Sequence, residues 1–356
     1  MSYGTRSRRE REEIPLKILI VRIGAMGDVL HALPAVAALR VQLSAAHIGW
    51  AIEPRWASLL TAQTQQGSPL VDRIHHVPVQ AWKAKPLSMA TARSILALRR
   101  ELRAEQYDIA VDLQGTIRSS FVGKLAGAKI FTGSTNPRET PARIFYTQKI
   151  ALQQPHVVEQ ACEILGAAVG LPLVPATPVL AQDAAAEAWC NGVLAALPDS
   201  ARIVVLSAGG GWGAKRWPSE RFGALAAALT KNGCKVFVAA ASVEDDLAHR
   251  VVESSAGTAQ NIVCDLPQLT ALLRRASLCI AGDTGPLHLA AAVGTPVVGI
   301  YGPTDPARNG PYTPHKSMLR SPQSTTDHSR HSAPEAGLLS ITVQDVINSA
   351  MGLLQP

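Results

Sequence analysis

The stretch from Ala281 to Pro306, AGDTGPLHLAAAVGTPVVGIYGPTDP, constrains the fold more than any other part of the chain. An apolar run, Leu278-Cys279-Ile280, leads into Gly282-Asp283-Thr284-Gly285. An Ala/Leu-rich segment from Pro286 to Val293 reads as helix, and Gly294-Thr295-Pro296 turns into a second apolar run, Val297 to Tyr301. Strand, glycine turn, helix, turn, strand is a βαβ unit, which belongs in a layered α/β sheet. Its strand-to-helix turn also suits a phosphate. Unpaired N–H groups and partial positive charge gather at a helix N-terminus, and glycines let the backbone come close. Thr284 offers a hydroxyl, and His288 follows about one helical turn later on the same face. A lone glycine turn is more often a plain crossover, so the rest of the chain has to decide.

The first half repeats the pattern. Lys17 to Ile23, KILIVRI, reads as a buried strand. Gly24-Ala25-Met26-Gly27-Asp28 is a turn, and Val29 to Leu43 has helical spacing, with Pro34 predicting a kink or a late start. This is not GxGxxG, so a dinucleotide fingerprint is missing. An Asp at that position is ordinarily an N-cap, and the helix dipole favours its ionised form, ready to accept a proton. Further strands are expected at His47–Ile52, Ile74–Val79 at an edge, and Tyr107–Leu113. Helices are expected at Met89–Ala104, Ile117–Leu125 and His156–Val169, with a basic loop at Ala81–Leu87 and a polar loop at Phe131–Pro141. Alternating strands and helices argue a parallel sheet covered on both faces, with ligands at the C-terminal strand ends. Asp28, Gln114 and Arg118 then share one side, and loops carrying Lys83, Lys85 and Arg138 extend over it. Solvated surface charge is the competing reading for these basic residues, more so for the lysines.

Leu171 to Pro178, LPLVPATP, holds three prolines and marks a domain boundary. The expected division is a flexible charged tail at 1–16, a Rossmann-like domain at 17–172, a second at 173–336, and a terminal helix at 337–356 packing back on the first. In the second half the strand Arg202 to Leu206 precedes SAGGGWGAKRWPSE, a glycine loop with Lys215 that can hold a diphosphate but lacks the P-loop pattern. After the strand Lys235–Ala241, Glu244-Asp245-Asp246 open a helix. An acidic residue there can hold ribose hydroxyls or simply suit a first helical turn. Residues 307–335 read as a loop, and His328 with His331 lack the further ligands a metal needs.

Charge separates the halves. Residues 1–170 carry 21 Lys+Arg against 13 Asp+Glu, a net +8, whereas residues 171–356 carry −1. The first half therefore suits an anionic partner. Aromatic residues are only 4% of the chain, too few for the stacking platforms of a single-strand binder. Five cysteines, odd in number and without CxxC, suggest neither a disulfide framework nor a zinc site, as fits a reducing cytoplasm. Gly, Pro or charge interrupts every run that might span a bilayer.

Taken together, the motifs resemble one family. They are Ile23-Gly24-Ala25-Met26-Gly27-Asp28-Val29-Leu30-His31, Asp112-Leu113-Gln114-Gly115 with Arg118, Arg138-Glu139, and His156-Val157-Val158-Glu159. In the second half they are Lys215-Arg216-Trp217-Pro218, Gly282-Asp283-Thr284-Gly285 with His288, and Tyr301-Gly302-Pro303-Thr304-Asp305-Pro306. From about Lys17 onward the chain resembles glycosyltransferase family 9, the lipopolysaccharide heptosyltransferases. The MGDVLH version is most similar to the branch that adds the first heptose to Kdo. The resemblance implies the GT-B architecture, two Rossmann-like doubly wound parallel-sheet domains with a cleft between them. It implies inverting transfer of L-glycero-D-manno-heptose from ADP-heptose to Kdo of Kdo2-lipid A, without metal or other cofactor. Asp28 would be the general base. Lys215, Glu244, Asp283, Thr284, Gly285 and His288 would serve the donor, with Glu244 at the ribose. Gly27, Gln114, Arg118, Arg138 and His156 would serve the acceptor. The protein is then expected in the cytoplasm, on the cytoplasmic face of the inner membrane, without a nucleic-acid partner.

Two departures bear on these roles. Gln160 stands where relatives often carry Arg after H-x-x-E, and the loop before Lys215 is poor in hydroxyls. Three alternatives remain: another nucleotide-sugar or acceptor, a non-catalytic nucleotide binder, and an NAD-dependent oxidoreductase, which would lack GxGxxG in both halves.

Overall fold

The computed structural model describes residues 15–327, 329 and 331–355. Most of the expected charged tail, and His328 of the weak histidine pair, lie outside the described residues. The first sheet holds β1 (Lys17–Val21), β2 (His47–Ile52), β3 (Arg73–His76), β4 (Ile109–Asp112), β5 (Ile130–Ser134) and β6 (Gln148–Ile150), in the order β3-β2-β1-β4-β5-β6. The second holds β7 (Arg202–Ser207), β8 (Cys234–Ala240), β9 (Gln260–Val263), β10 (Leu278–Gly282), β11 (Val297–Tyr301) and β12 (Lys316–Arg320), in the order β12-β11-β10-β7-β8-β9. Pairing is parallel throughout. The central strands β1, β4, β7 and β10 are apolar runs because helices cover both their faces.

Each sheet reverses its winding between its two central strands, and such a point opens a crevice at the C-terminal strand ends. In the first sheet it lies between β1 and β4, which lead to Asp28 and Gln114. In the second it lies between β7 and β10, which lead to Lys215 and Asp283. One buried cluster runs from Ile18, Leu33 and Trp50 of the first sheet's layers into Cys279, Leu287 and Tyr301 of the second, so apolar packing is continuous across the seam.

Several expectations are corrected. The helix after β1 starts early, spanning Met26–Gln42, and continues past Pro34 without a break. The Pro34 carbonyl accepts a hydrogen bond from the backbone N–H of Ala176 at 3.1 Å. The Ala81–Leu87 stretch contains the end of a short helix, Val79–Ala84, anchored by buried Trp82, whose Nε1 donates to Ser94 Oγ at 3.0 Å. Phe131–Pro141 begins as β5, because Phe131 is buried edge-on against Tyr146. Within 307–335, Lys316–Arg320 pairs with β11 as an edge strand. The terminal helix Val343–Leu354 does not return to the first domain. Its Val346 and Ala350 are buried in the second sheet's core with Trp217 and Leu225, and Trp217 Nε1 donates to the Ile341 carbonyl at 3.0 Å. The proline-rich segment stays on the first domain: Gln42 Nε2 donates to the Pro172 carbonyl at 3.0 Å, and Val179 bridges to Gln63.

Candidate active site

Two glycines let the crevices meet. The helix Met26–Gln42 and the helix Gly285–Ala292 touch end to end across the seam. A Cβ on Gly27 would lie 2.8 Å from His288 Cδ2, and a Cβ on Gly285 would lie 2.3 Å from Met26 Cε. Only glycine permits this closeness without displacing a neighbour.

On the second-domain wall, Lys215 Nζ forms an ion pair with Asp283 Oδ2, and His288 Nε2 lies 3.2 Å from Asp283 Oδ1. Burial alone would raise the Asp283 carboxyl, but the His288 hydrogen bond and the Lys215 charge outweigh it and hold the group well below the usual carboxylate range. Lys215 Nζ also sits 4.3 Å from the Trp212 ring centroid, a cation–π contact that fixes the ammonium further. The loop before Lys215 leans on the chain after β12, with Ala214 N donating to the His331 carbonyl at 3.1 Å. Thr284 is the N-cap of Gly285–Ala292, but its side chain makes no capping bond and donates instead to the Gly282 carbonyl at 3.2 Å. The first-turn N–H groups of that helix therefore lack a side-chain cap and suit an anion. Glu244 is exposed beyond β8, where Asp245 caps the next helix by accepting from Leu247 N and Ala248 N.

On the first-domain wall, Asp28 is about one-third exposed. Its Oδ1 pairs with Arg22 Nη2 at 3.0 Å, and its Oδ2 lies 3.9 Å from Arg138 Nη1 and accepts from Ala25 N at 3.2 Å. Arg22 is mostly buried, and its Nε also donates to the Asp28 carbonyl at 3.1 Å. Gln114 Oε1 accepts from Ile23 N at 2.7 Å, so it holds the loop that carries Asp28. Arg308, in the short helix Pro306–Asn309 of the second domain, is within electrostatic reach of Arg138, Arg22 and Asp28. The carboxylate therefore has Arg22 and Arg138 of its own domain beside it.

Behind this site three histidines gather. The His31 and His288 ring centroids are 4.4 Å apart, and those of His31 and His156 are 5.8 Å apart. His156 accepts from Val158 N at 3.2 Å through Nδ1, so its Nε2 carries the proton and donates to the Gly310 carbonyl of the other domain at 3.0 Å. Burial holds it below the ordinary imidazole range. His31 is held well below that range, first by burial and then by its histidine neighbours. Among the described residues, His31 Nε2 and His288 Nδ1 are buried without a hydrogen-bond partner. A cavity of about 90 Å³ opens beside them, between the linker prolines and Tyr312.

The expected residues thus fall into separate groups. Asp28, Gly27, Gln114 and Arg138 meet at the first crevice. Lys215, Asp283, Thr284, Gly285 and His288 meet at the second. Arg118 is exposed in the first turn of the helix Ile117–Leu125, with no hydrogen bond or ion pair among the described residues. His156 has both ring nitrogens engaged, as a helix cap and as a tie between the domains. Sequence reasoning missed Arg22, His31 and Arg308. Arg22 carries a visible signal, a cation closing an otherwise apolar strand one turn before Asp28. Arg308 carries none, because it depends on how the domains meet. Among the described residues no group of three or more His, Cys, Asp or Glu could hold a metal ion. The site can do the chemistry of a group transfer: a carboxylate on one wall, and an ammonium with a helix N-terminus on the other.

Comparison with known proteins agrees. The model of a family described as glycosyltransferase family 9 (heptosyltransferase) matches residues 95–337. Lipopolysaccharide heptosyltransferase 1 of Escherichia coli K12 is 30% identical over 316 residues, covering 86% of this chain and 94% of that protein. The Pseudomonas aeruginosa protein of the same name is 26% identical, covering 83% and 81%. The solved structure of E. coli heptosyltransferase WaaC with ADP superposes with a TM-score of 0.75 at 26% identity, covering 95% of this chain and all of that one. A family 9 glycosyltransferase from Veillonella parvula shares the fold, with a TM-score of 0.80 at 23% identity, covering 96% and 98%.

Proposed function

The chain belongs to glycosyltransferase family 9, the heptosyltransferases, and from that premise we propose that it moves L-glycero-D-manno-heptose from ADP-heptose to a Kdo residue of the lipopolysaccharide inner core. The observation that carries this reading is the opposition of Asp28 on one crevice to Lys215, Asp283 and the Gly285–Ala292 helix on the other.

The reaction is a single displacement with inversion. Asp28 removes the proton from the acceptor hydroxyl as its oxygen bonds to the anomeric carbon, and the bond from that carbon to the diphosphate oxygen breaks. A positioned base contributes roughly 10²–10⁴-fold. Charge grows on the departing ADP, where Lys215 and the N-terminus of Gly285–Ala292, with Thr284, stabilise it. Asp283 and His288 hold Lys215 and the turn in place, and Glu244 is assigned to the ribose hydroxyls. Arg22 orients the Asp28 carboxylate. Arg138 and Arg308, with Arg118 further out, supply positive charge for the Kdo carboxylate. None of these roles needs a metal. The names of the relatives support the donor and pathway: WaaC has been solved with ADP and with ADP-2-deoxy-2-fluoro heptose. With a lipid-borne acceptor, the protein would work at the cytoplasmic face of the inner membrane. Among the described residues no helix is long and apolar enough to cross it.

The test is ADP release from ADP-heptose with and without Kdo2-lipid A, beside a panel of UDP- and GDP-sugars. Acceptor-dependent release from ADP-heptose alone is expected. Turnover of another donor would keep the chemistry and overturn the substrate.

A further inference from the structure

The outer surface of the first domain carries a feature the transfer reaction does not use. Helices Met89–Ala104 and Ile117–Leu125 follow β3 and β4, and both connections move across the sheet in the same direction. Right-handed crossovers therefore put them on one face. Beneath them, Trp82, Leu98, Val122 and Tyr146 pack into a single cluster, so the opposite side of this layer looks outward. There, Leu87 is 99% exposed, and Met89, which opens the first of these helices, 69%. Ile117 and Phe121 stand out one helical turn apart on the same layer.

Scattered exposed aliphatics are ordinary; Leu87 and Met89 share one short stretch of chain with exposed Lys83 and Lys85. Residues 77–100 contain five Lys or Arg and no Asp or Glu, and between 113 and 147 the one acidic residue is Glu139. Glu139 is engaged in accepting from Ile117 N at 2.8 Å. That bond ties the start of the Ile117–Leu125 helix to the loop of Arg138, which reaches within 3.9 Å of Asp28, so this layer adjoins the site.

We propose that this rim, centred on Leu87 and Met89 and flanked by Lys83 and Lys85, is a docking surface for an anionic lipid bilayer. Aliphatic tips enter the headgroup boundary while basic side chains meet lipid phosphates. The orientation follows from the proposed function, on which it rests: a lipid-borne acceptor then emerges from the bilayer directly beneath Asp28. Nucleic acid fits less well, because only Phe121 among the exposed rim residues could stack on a base.

The test is co-sedimentation of the full chain with vesicles of phosphatidylethanolamine and phosphatidylglycerol, against vesicles of phosphatidylcholine alone. Wild type should bind the anionic vesicles and release with salt. Leu87→Asp with Met89→Asp, and separately Lys83→Glu with Lys85→Glu, should each weaken binding by about tenfold or more. Circular dichroism and the thermal midpoint establish that both variants fold. The Leu87→Asp/Met89→Asp protein should keep wild-type turnover on a de-acylated Kdo acceptor and lose it on acceptor held in vesicles. No binding by wild type, equal binding by folded variants, or preference for a single-stranded oligonucleotide would overturn the docking surface. Vesicle binding without turnover on any acceptor would leave the surface standing and remove the transfer reading instead.

Discussion

Gly27 and His288 stand against each other across the seam between the two sheets, so close that a methyl group at position 27 would lie 2.8 Å from the imidazole Cδ2. His288 is not free to yield, because its Nε2 is tied to Asp283 and its ring packs on His31. The first domain's helix start thus bears directly on the side chain that steadies the second domain's anion site. Gly27→Ala should push His288 off Asp283 and cost about 1–3 kcal/mol of packing, with a fall in kcat/KM for transfer. Gly285→Ala meets the movable end of Met26 and should cost less. Equal turnover in both variants would contradict a working contact between the domains.

Lys215 and Asp283 are both largely buried, at 12% and 9% side-chain exposure. Removing one partner of such a pair strands a charge, at about 3–5 kcal/mol. Lys215→Met should therefore lower both the thermal midpoint and the affinity for ADP. Adding Asp283→Asn should restore much of the stability and none of the ADP affinity. Calorimetry and thermal unfolding on the three proteins separate the roles; full ADP affinity in Lys215→Met would remove Lys215 from the diphosphate.

The arginines around Asp28 divide by function. Arg138→Ala and Arg308→Ala should raise the KM for the Kdo acceptor by about tenfold each, as expected for a lost charge-assisted hydrogen bond, and leave ADP binding unchanged. Arg22→Ala should act mainly on kcat, because Arg22 holds the Asp28 carboxylate itself. Initial rates over a range of acceptor concentration distinguish the two patterns. An unchanged acceptor KM in Arg308→Ala would show that the second domain takes no part in acceptor recognition.

Stability should fall on mild acidification. His31 and His156 are both held below the ordinary imidazole value, chiefly by burial. The unfolded chain takes up protons near pH 6.5 while the folded protein does not. Their stabilising contribution is complete above about pH 6.5 and is lost as pH falls below it, by up to about 1.4 kcal/mol per pH unit for each group. Thermal midpoints from pH 7 to 5 should drop, and His31→Gln should flatten the slope. An unaltered slope would mean that His31 is protonated in the fold as readily as outside it.

Much of this was legible in the sequence, for definite reasons. The central strands are continuous apolar runs ending in glycine turns, so the two crevices and their residues could be placed from Lys17 to Asp28 and from Leu278 to His288. Strands away from the sheet centres were harder. β5 and β12 are short, partly polar and paired on weak local patterns, and both fell within expected loops. The terminal helix shows an apolar face, but nothing local says which sheet it covers. What local sequence hides lies at the seam. Nothing near His156 in the chain signals its hydrogen bond to the Gly310 carbonyl of the other domain, and Arg308 comes near the first-domain site only through the way the domains meet.

The most direct measurement compares wild type with Asp28→Asn, following ADP release from ADP-heptose with and without Kdo2-lipid A and ADP binding by calorimetry. Asp28→Asn is expected to bind ADP like wild type and to lose acceptor-dependent release by roughly 10²–10⁴-fold. Wild-type rates in Asp28→Asn, or no acceptor-dependent release by wild type, would contradict transfer across this seam.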